Sequence, residues 1–276
     1  MLYNLKKLLV KVKKMDKEEL KLKNNQKLEE ATDKMKEITN ENPEHFKTKR
    51  LGSSMGNYAT QLERDVKGIR RRNQVYPRGT LVYVDFGINY GSEFSSYHYA
   101  ITLSNDDNKK ENTITVVPLT SKKGKRNIKL NSSVSASLAT VTRILVIEHC
   151  KAIEITNNQS KETINELSEQ SKIAEETQDY EKIIEINKKI DELNKLYKQI
   201  GMLQEASINA LERVKKYTED LDKDTYIKVD AITTIDKNKI FKRKDDLDPL
   251  TRVIVSKDTL ELIDNEIKKL FFTRDY

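Results

Sequence analysis

Residues 76–121 constrain the fold of this 276-residue chain more than any other stretch. Three apolar, β-branched runs follow one another there, at residues 81–86, 97–103 and 113–119. Gly87, Gly91 and the polar residues 104–112 separate them. Short runs of strand-forming residues divided by turn residues are typical of antiparallel strands joined in chain order. The stretch therefore predicts an antiparallel meander that closes into a small barrel.

Most of the remaining chain has the pattern of helices. Residues 1–75 predict a helical region of two or three helices, with a stop at residues 40–43 and a break at residues 52–56. Residues 256–272 predict an amphipathic closing helix with Ser256 as its N-cap. Two further segments, residues 139–155 and 226–235, have the alternation of strands.

Residues 159–221 predict a charged helical insertion. Apolar residues recur there at alternating steps of three and four, as in a coiled-coil seam: Ile183, Ile186, Ile190, Leu193, Tyr197 and Ile200. Both ends of the insertion must return to the sheet, so we expect an antiparallel hairpin that bends at residues 175–179 or at Gly201. Such a seam is more often a structural hairpin or a partner contact than a cofactor site.

Composition limits the class of protein. Only 36% of the residues are hydrophobic and 34% are charged, with a formal net charge of +7. That excess suits a nucleic-acid or anionic-surface partner, and it also arises in any lysine-rich chain. The single cysteine, Cys150, excludes an intramolecular disulfide and favours the reducing cytoplasm. No apolar run approaches the roughly 18 residues of a membrane span.

Cations are concentrated immediately before the meander. Arg64, Lys67 and residues 70–72 supply five positive charges within nine residues. They either extend a phosphate-binding surface or end a solvated helix, where cations suit the helix dipole.

The strand region also carries motifs. R-G-T-L-V-Y-V-D-F-G begins at Arg78, G-S-E-x-x-x-x-H-Y-A-I-x-L-S-N-D at Gly91, V-V-P-L-T-S at Val116 and D-A-I-T-T-I-D-K at Asp230. In this order the motifs resemble the MazF/PemK toxins, bacterial endoribonucleases with an SH3-like barrel. The resemblance covers residues 76–130 and residues 226–276, and it places the later barrel strand at residues 226–235, because only there does the I-T-T-I-D-K motif follow.

The resemblance implies an α+β fold. Its parts would be an N-terminal helical region (residues 1–75), a MazF/PemK-like barrel (residues 76–158 and 222–276) and an inserted coiled-coil hairpin (residues 159–221). It further implies a toxin that cleaves single-stranded RNA without a cofactor. The expected partners are the RNA, a small antitoxin and a second copy in a homodimer.

RNA cleavage needs few protein groups, because the RNA's own 2′-hydroxyl can attack the adjacent phosphate. An enzyme must move protons and neutralise the phosphorane. No His, Asp or Glu cluster has metal-ligand spacing, so we predict no metal site.

The candidate catalytic residues follow from the resemblance. The family's Arg-Pro pair, whose Arg is catalytic, is replaced here by His98 and Tyr99. Imidazole titrates near neutrality and carries protons better than guanidinium, so His98 is the predicted general base or acid. Thr120 occupies the position of a phosphate-binding hydroxyl, although Thr-Ser at a strand end is also an ordinary turn. Lys228 and Asp230 match an acid-base pair of the PemK branch, and positions i and i+2 of a strand share one face. Without the resemblance they would be a surface ion pair.

The candidate RNA-binding residues surround these: Glu93, Tyr97, Tyr99, Ser121, Lys122, Lys123, Lys125 and Arg126. Glu93 would orient its loop, the cations would hold the backbone, and Tyr97 or Tyr99 would stack a splayed base. Two rivals remain open. One is a catalytically silent barrel that only binds RNA or a protein, and the other is an adaptor in which the coiled coil is the working part.

Overall fold

A computed structural model describes residues 17–69, 73–130 and 132–272. The chain forms two compact units, one up to residue 70 and one over residues 71–276. The first sixteen residues of the predicted helical region and the cations at residues 70–72 lie outside the described residues.

The described part of the first unit contains two helices, α1 (Lys17–Glu41) and α2 (Thr48–Val66). The stop predicted at residues 40–43 is confirmed, because α1 ends at Glu41. The break predicted at residues 52–56 is wrong, because α2 continues through this segment. A glycine costs a helix only about 1 kcal/mol relative to alanine, which the surrounding turns of α2 offset.

Six strands form the sheet of the second unit: β1 (Leu81–Asp85), β2 (Tyr97–Thr102), β3 (Thr113–Thr120), β4 (Asn127–Lys129), β5 (Tyr226–Lys228) and β6 (Thr233–Asp236). Their order is β1-β2-β3-β5-β4, and β6 also pairs with β3. All these pairs are antiparallel. The meander predicted over residues 81–119 is confirmed. The later strand is present but divided, because a short 3-10 turn, Val229–Ala231, separates β5 from β6.

The sheet is not a closed barrel, which corrects the predicted closure. The path of paired strands begins at β1 and ends at β4, and β6 pairs with β3 beside this path. Along the outer edge of β1 the chain makes only isolated bridges, from Thr80 to Ile254 and from Val84 to Ile240. These segments shield the edge from pairing with another chain, without a ladder that would join β1 to β4.

Side chains alternate between the two faces of the sheet, and each face has its own core. One core contains residues that share a face with His98 on β2: Tyr76, Val82, Val84, Phe86, Ala100, Ile114, Val116, Ile235 and Ile240. We call this side the His98 face. The larger core lies on the other side, the Tyr99 face, where Leu81, Ile101, Val117, Leu119 and Ile227 pack with residues of the helices.

Two long helices form a hairpin, α3 (Ser133–Glu176) and α4 (Tyr180–Asp222). The bend lies at residues 177–179, within the first of the two predicted positions, and Asp179 caps α4 by accepting the Lys182 N–H at 3.0 Å. Gly201 lies inside α4. The hairpin begins at Ser133, earlier than the insertion predicted from residue 159.

The strand predicted at residues 139–155 is wrong, because this segment lies inside α3. Val134, Leu138 and Thr142 are spaced four residues apart and are buried at 1%, 0% and 1% exposure. Burial of this helical face outweighs the strand propensity of the β-branched residues that follow.

The predicted seam of the hairpin is only partly buried. Ile186 and Ile200 are buried, whereas Ile190 and Tyr197 are 42% and 40% exposed. Leu196, the residue before Tyr197, is half-buried although it is not part of the predicted seam. The apolar pattern of α4 is therefore wider than a single seam.

The last helix, α5 (Lys257–Phe271), closes over the Tyr99 face, where Ile263 is fully buried. Ser256 is its N-cap as predicted, since its Oγ accepts the Thr259 N–H at 3.2 Å. Among the described residues, no helix is both long and apolar enough to cross a membrane.

Candidate active site

The register of the sheet puts His98 and Thr120 on one face. Ala100 on β2 pairs with Pro118 on β3. Two residues further along each strand, His98 and Thr120 lie on the same face as that pair, because side chains alternate with a period of two. Thr120 in turn pairs with Tyr226 on β5. The strands β2, β3 and β5 thus share this face.

The His98 ring is half-buried and held by its neighbours. Its Nε2 is 3.1 Å from the carbonyl oxygen of Ser95. A carbonyl only accepts hydrogen bonds, so this contact requires a proton on Nε2. The ring centroid lies 4.3 Å from that of Phe94. These two contacts hold the orientation of the ring.

Residues 87–96, the loop between β1 and β2, place Ser95 and Phe94 against His98. The Asn89 side chain donates to the carbonyl oxygen of Phe94 at 2.7 Å, and the Asn89 N–H donates to Ser95 Oγ at 3.0 Å. Ser96 adopts a φ of 82°. This backbone conformation is energetically unfavourable for any residue other than glycine. Glu93 is exposed on this loop, and its N–H donates to the Tyr90 carbonyl oxygen at 2.9 Å.

Thr120 begins the basic turn between β3 and β4. Its Oγ1 accepts the Lys122 N–H at 3.2 Å, which leaves the hydroxyl proton able to donate elsewhere. Asn127 closes the turn by donating to the Lys122 carbonyl oxygen at 2.9 Å. A Cβ on Gly124 would lie 2.8 Å from the Asn127 side-chain nitrogen, so a larger residue there would displace the amide that closes the turn.

All the candidate backbone-binding residues of this turn are exposed: Ser121, Lys122, Lys123, Lys125 and Arg126. Within the part of the chain that the structure describes, none of these four cations forms an ion pair. The turn must cross from β3 to β4 past β5, since β5 lies between them. It therefore presents four unneutralised charges beside the strand that carries Lys228.

Lys228 and Asp230 contact each other directly, with Nζ 2.8 Å from Oδ1. Lys228 ends β5 on the same face as Tyr226, and hence on the His98 face. Asp230 lies in the 3-10 turn Val229–Ala231, which corrects the prediction that both residues belong to one strand. The turn, rather than strand alternation, brings the two side chains together. Both remain about one-third exposed, at 32% and 35%.

Tyr97 and Tyr99 lie on the Tyr99 face, so the structure does not bring them to His98. Tyr99 packs against Tyr83 at 4.9 Å and Tyr217 of α4 at 6.3 Å between ring centroids. Burial, followed by the charge of Asp220, raises the pKa of Tyr99 well above its ordinary value. Tyr99 is thus part of the core, while Tyr97 contacts Phe241 at 5.4 Å.

Sequence reasoning missed two aromatic residues of the β1–β2 loop. Phe94 packs on His98, and Tyr90 is 90% exposed at the tip of the loop. The only sequence signal for these two residues was that each is an aromatic residue in an otherwise polar loop with glycines, where no core position is expected. Tyr90, unlike Tyr99, has a ring available to a ligand.

The arrangement combines an oriented imidazole, a hydroxyl, an ammonium group held by a carboxylate and a basic turn. These groups can move a proton and bind a phosphate. In residues 17–69, 73–130 and 132–272, no group of three or more His, Cys, Asp or Glu side chains could hold a metal ion.

Comparison with known proteins agrees with this chemistry. No curated protein matches the chain. Residues 77–176, which include β1 to β4 and α3, match the model of the PemK-like, MazF-like toxin of type II toxin-antitoxin systems. Over residues 77–176 the chain is therefore similar to this toxin family, and the helices α1 and α2 precede the matched part.

Proposed function

We propose that the chain is an endoribonuclease toxin that cleaves single-stranded RNA without a metal ion. The observation that carries this proposal is the sheet register, which gathers His98, Thr120 and the Lys228–Asp230 pair on one face beside the basic turn. These residues are far apart in the sequence, and they include every group type that the reaction needs.

In the proposed reaction, Nδ1 of His98 accepts the proton of the RNA 2′-hydroxyl. The 2′-oxygen then forms a bond to the phosphorus, and the bond to the 5′-oxygen breaks. The Lys228 ammonium neutralises the phosphorane and donates a proton to the leaving oxygen, while Asp230 holds Lys228 in place. The Thr120 hydroxyl donates to a non-bridging oxygen. The products are a 2′,3′-cyclic phosphate and a 5′-hydroxyl.

The surroundings support binding of the RNA backbone. Lys122, Lys123, Lys125 and Arg126 would contact phosphates next to the scissile one, and such contacts make affinity depend on salt. Ser121 would add a hydroxyl, and Glu93 would order the loop above His98.

The wider features of the proposal come from the family match. We infer an SH3-like topology for the sheet, a coiled-coil geometry for α3 and α4, and a cytoplasmic site of action where the RNA is. We also infer neutralisation by a cognate antitoxin and a homodimer. A helical hairpin of this length offers a protein partner a surface outside the sheet.

A second candidate function is a silent domain that binds RNA or a protein without cleaving. The contacts of His98 favour it, because Nε2 is engaged by Ser95 and the ring packs on Phe94. A ring held this tightly is also what a merely structural histidine shows.

Product analysis separates the two functions. A long single-stranded RNA is incubated with the protein, the cut sites are mapped, and a short RNA containing one such site is made with and without a 2′-hydroxyl at the scissile nucleotide. The proposal predicts that the RNA with the 2′-hydroxyl is cut to a cyclic phosphate and that the RNA without it is not cut. Binding of the long RNA without any product would establish the silent domain.

A further inference from the structure

An exposed aromatic ring lies at the edge of the sheet, on the face opposite His98. Phe241 is 42% exposed, and its ring centroid lies 5.3 Å from that of Tyr83 and 5.4 Å from that of Tyr97. The Phe241 N–H donates to the Tyr83 carbonyl oxygen at 2.9 Å, so the ring is held against β1. Three aromatic rings therefore meet here, with Phe241 outermost.

Lysines precede and follow Phe241 in the sequence. Lys239, Lys242 and Lys244 are exposed. Within the ranges that the structure describes, none of the three forms an ion pair. Arg243 is half-buried and lies close to Tyr76, where its charge opposes the rise of the Tyr76 pKa to about 12 that burial and Asp107 cause. We therefore define the Phe241 patch without Arg243, as Tyr83, Tyr97, Lys239, Phe241, Lys242 and Lys244.

The chemistry of the patch matches single-stranded nucleic acid. Aromatic rings stack with any base, and neighbouring cations hold the backbone. Carboxylates also lie near the ring. Asp85 lies opposite Tyr97, and its Oδ1 accepts the Gly87 N–H at 2.9 Å. Asp246 is exposed two residues after Lys244, whereas Asp245 pairs with Arg213. The three lysines outnumber Asp85 and Asp246, so the charge of the patch complements a polyanion.

We propose that the Phe241 patch binds single-stranded RNA outside the cleavage site. This inference rests on the proposed function. His98 and Tyr97 are consecutive residues on opposite faces, so a strand bound at both places must pass around the end of the β1–β2 hairpin. The patch therefore acts only on RNAs that extend several nucleotides beyond the scissile phosphate, and it makes the enzyme prefer long substrates.

The test compares a long RNA with a short RNA that contains only the cut site. Phe241→Ala is expected to weaken binding of the long RNA by about 5- to 150-fold, the range that corresponds to one stacked base. Replacing Lys239, Lys242 and Lys244 with Gln should lower the salt slope of the long-RNA affinity by about 2, at about 0.7 per contact. Both variants should lose the preference for long over short RNA in KM.

Two matched controls accompany these variants. Phe271→Ala removes an exposed phenylalanine of α5, 58% exposed, and should not change the preference. Replacing Lys188, Lys195 and Lys198 of α4 removes the same charge from the hairpin and should leave the salt slope unchanged. Phe241→Leu keeps an apolar contact without an aromatic ring and should behave like Phe241→Ala, which guards against misfolding of the Ala variant.

Other outcomes overturn the inference. Equal loss for long and short RNA would show that the patch belongs to the cleavage site. An unchanged preference in the Phe241 and lysine variants would show that RNA does not bind there, and loss of antitoxin neutralisation in the same variants would assign the patch to a protein. If the wild-type protein binds no RNA, the proposed function itself fails and this inference falls with it.

Discussion

The sheet and the helical hairpin bury their side chains in different ways. The sheet has two cores, one on each face, and the larger one takes residues from α3, α4 and α5. The hairpin has a small apolar cluster of its own near the bend, where Leu167, Ala174 and Ile186 meet. Between that cluster and the sheet, the buried residues are mixed: Ile153, Ile200 and Ala210 are apolar, and Ser160 and Ser207 are polar. His149 Nδ1 lies 3.0 Å from Ser207 Oγ there.

Charge separates the same two regions. Residues 133–222 contain twelve Lys or Arg against seventeen Asp or Glu, whereas the whole chain has a net charge of +7. An acidic hairpin is a poor surface for RNA, and the positive charge lies elsewhere. The comparison indicates that the sheet can hold a reaction site in fixed geometry. Substitutions on the surface of the hairpin can change that surface without disturbing the site.

The largest expected difference concerns stability. Lys237 and Asp107 form an ion pair at 2.6 Å with side chains only 2% and 1% exposed, and Asp107 also accepts the Tyr76 N–H at 2.8 Å. Lys237→Met should cost about 3–5 kcal/mol, because it leaves a buried charge without its partner. Lys182→Met removes a surface pair of the hairpin and should cost under about 1 kcal/mol. Urea unfolding measures the free energy of unfolding of both variants. Equal losses of stability in the two variants would contradict the contrast between sheet and hairpin.

The next effect concerns activity. Lys228→Met should lower kcat by about 10²- to 10³-fold, the usual result of removing one group that stabilises the transition state. Lys129→Met is the matched control, because Lys129 also lies on this sheet and pairs with an aspartate, Asp224, at 3.0 Å. The control should retain most of the activity in a cleavage assay. Similar losses in both variants would indicate a general effect of surface charge.

A third prediction concerns the contact between α4 and the segment that follows Phe241. Arg213 of α4 donates two hydrogen bonds to Asp245, at 2.9 and 2.6 Å, in the segment that follows Phe241. Arg213→Met should cost about 1–3 kcal/mol, since Asp245 is partly solvated. Faster hydrogen exchange should be confined to α4 and residues 242–252. Exchange that spreads through β1 to β3 would show that hairpin and sheet unfold as one.

The pH dependence of that loss has a definite sign. The hydrogen bonds from Arg213 lower the pKa of Asp245 below its ordinary value. The stability that this pair contributes is therefore present above the ordinary aspartate pKa and is lost as the pH falls through the folded pKa. The difference between wild type and Arg213→Met should shrink in acid. A difference that grows in acid would contradict the assignment.

The smallest effect is expected within the hairpin. Ser207→Ala removes the hydroxyl that contacts His149 and should cost under about 1.5 kcal/mol, with no change in RNA cleavage. Thermal unfolding and a cleavage assay check both parts. A large fall in cleavage would show that the hairpin seam controls the site.

The sequence predicts the sheet better than the helices. The runs that became β1, β2 and β3 are bounded by glycine and polar residues, so local signals agree with burial. Residues 139–155 have equally strong strand propensity, and the packing of Val134 and Leu138 in the larger core of the sheet favours a helix instead. The predicted seam of α4 is buried only in part, since Ile190 and Tyr197 are 42% and 40% exposed while Ile186 and Ile200 are buried.

The candidate site was predictable as a set of residue types and not as a geometry. The motifs point to His98, Thr120 and Lys228, but their common face depends on a register that no local pattern specifies. The 3-10 turn that carries Asp230 interrupts the strand pattern of the sequence. The ring contacts of Phe241 join residues more than a hundred positions apart. Only the fold reveals such contacts.

The most direct test of the account is cleavage of a long single-stranded RNA in excess EDTA, by the wild-type protein and by His98→Ala. His149→Ala of the hairpin is the control. The account predicts full cleavage by wild type and His149→Ala in the chelator, and a fall of about 10²- to 10⁴-fold in His98→Ala. Loss of cleavage in EDTA, or an unchanged rate in His98→Ala, would contradict it.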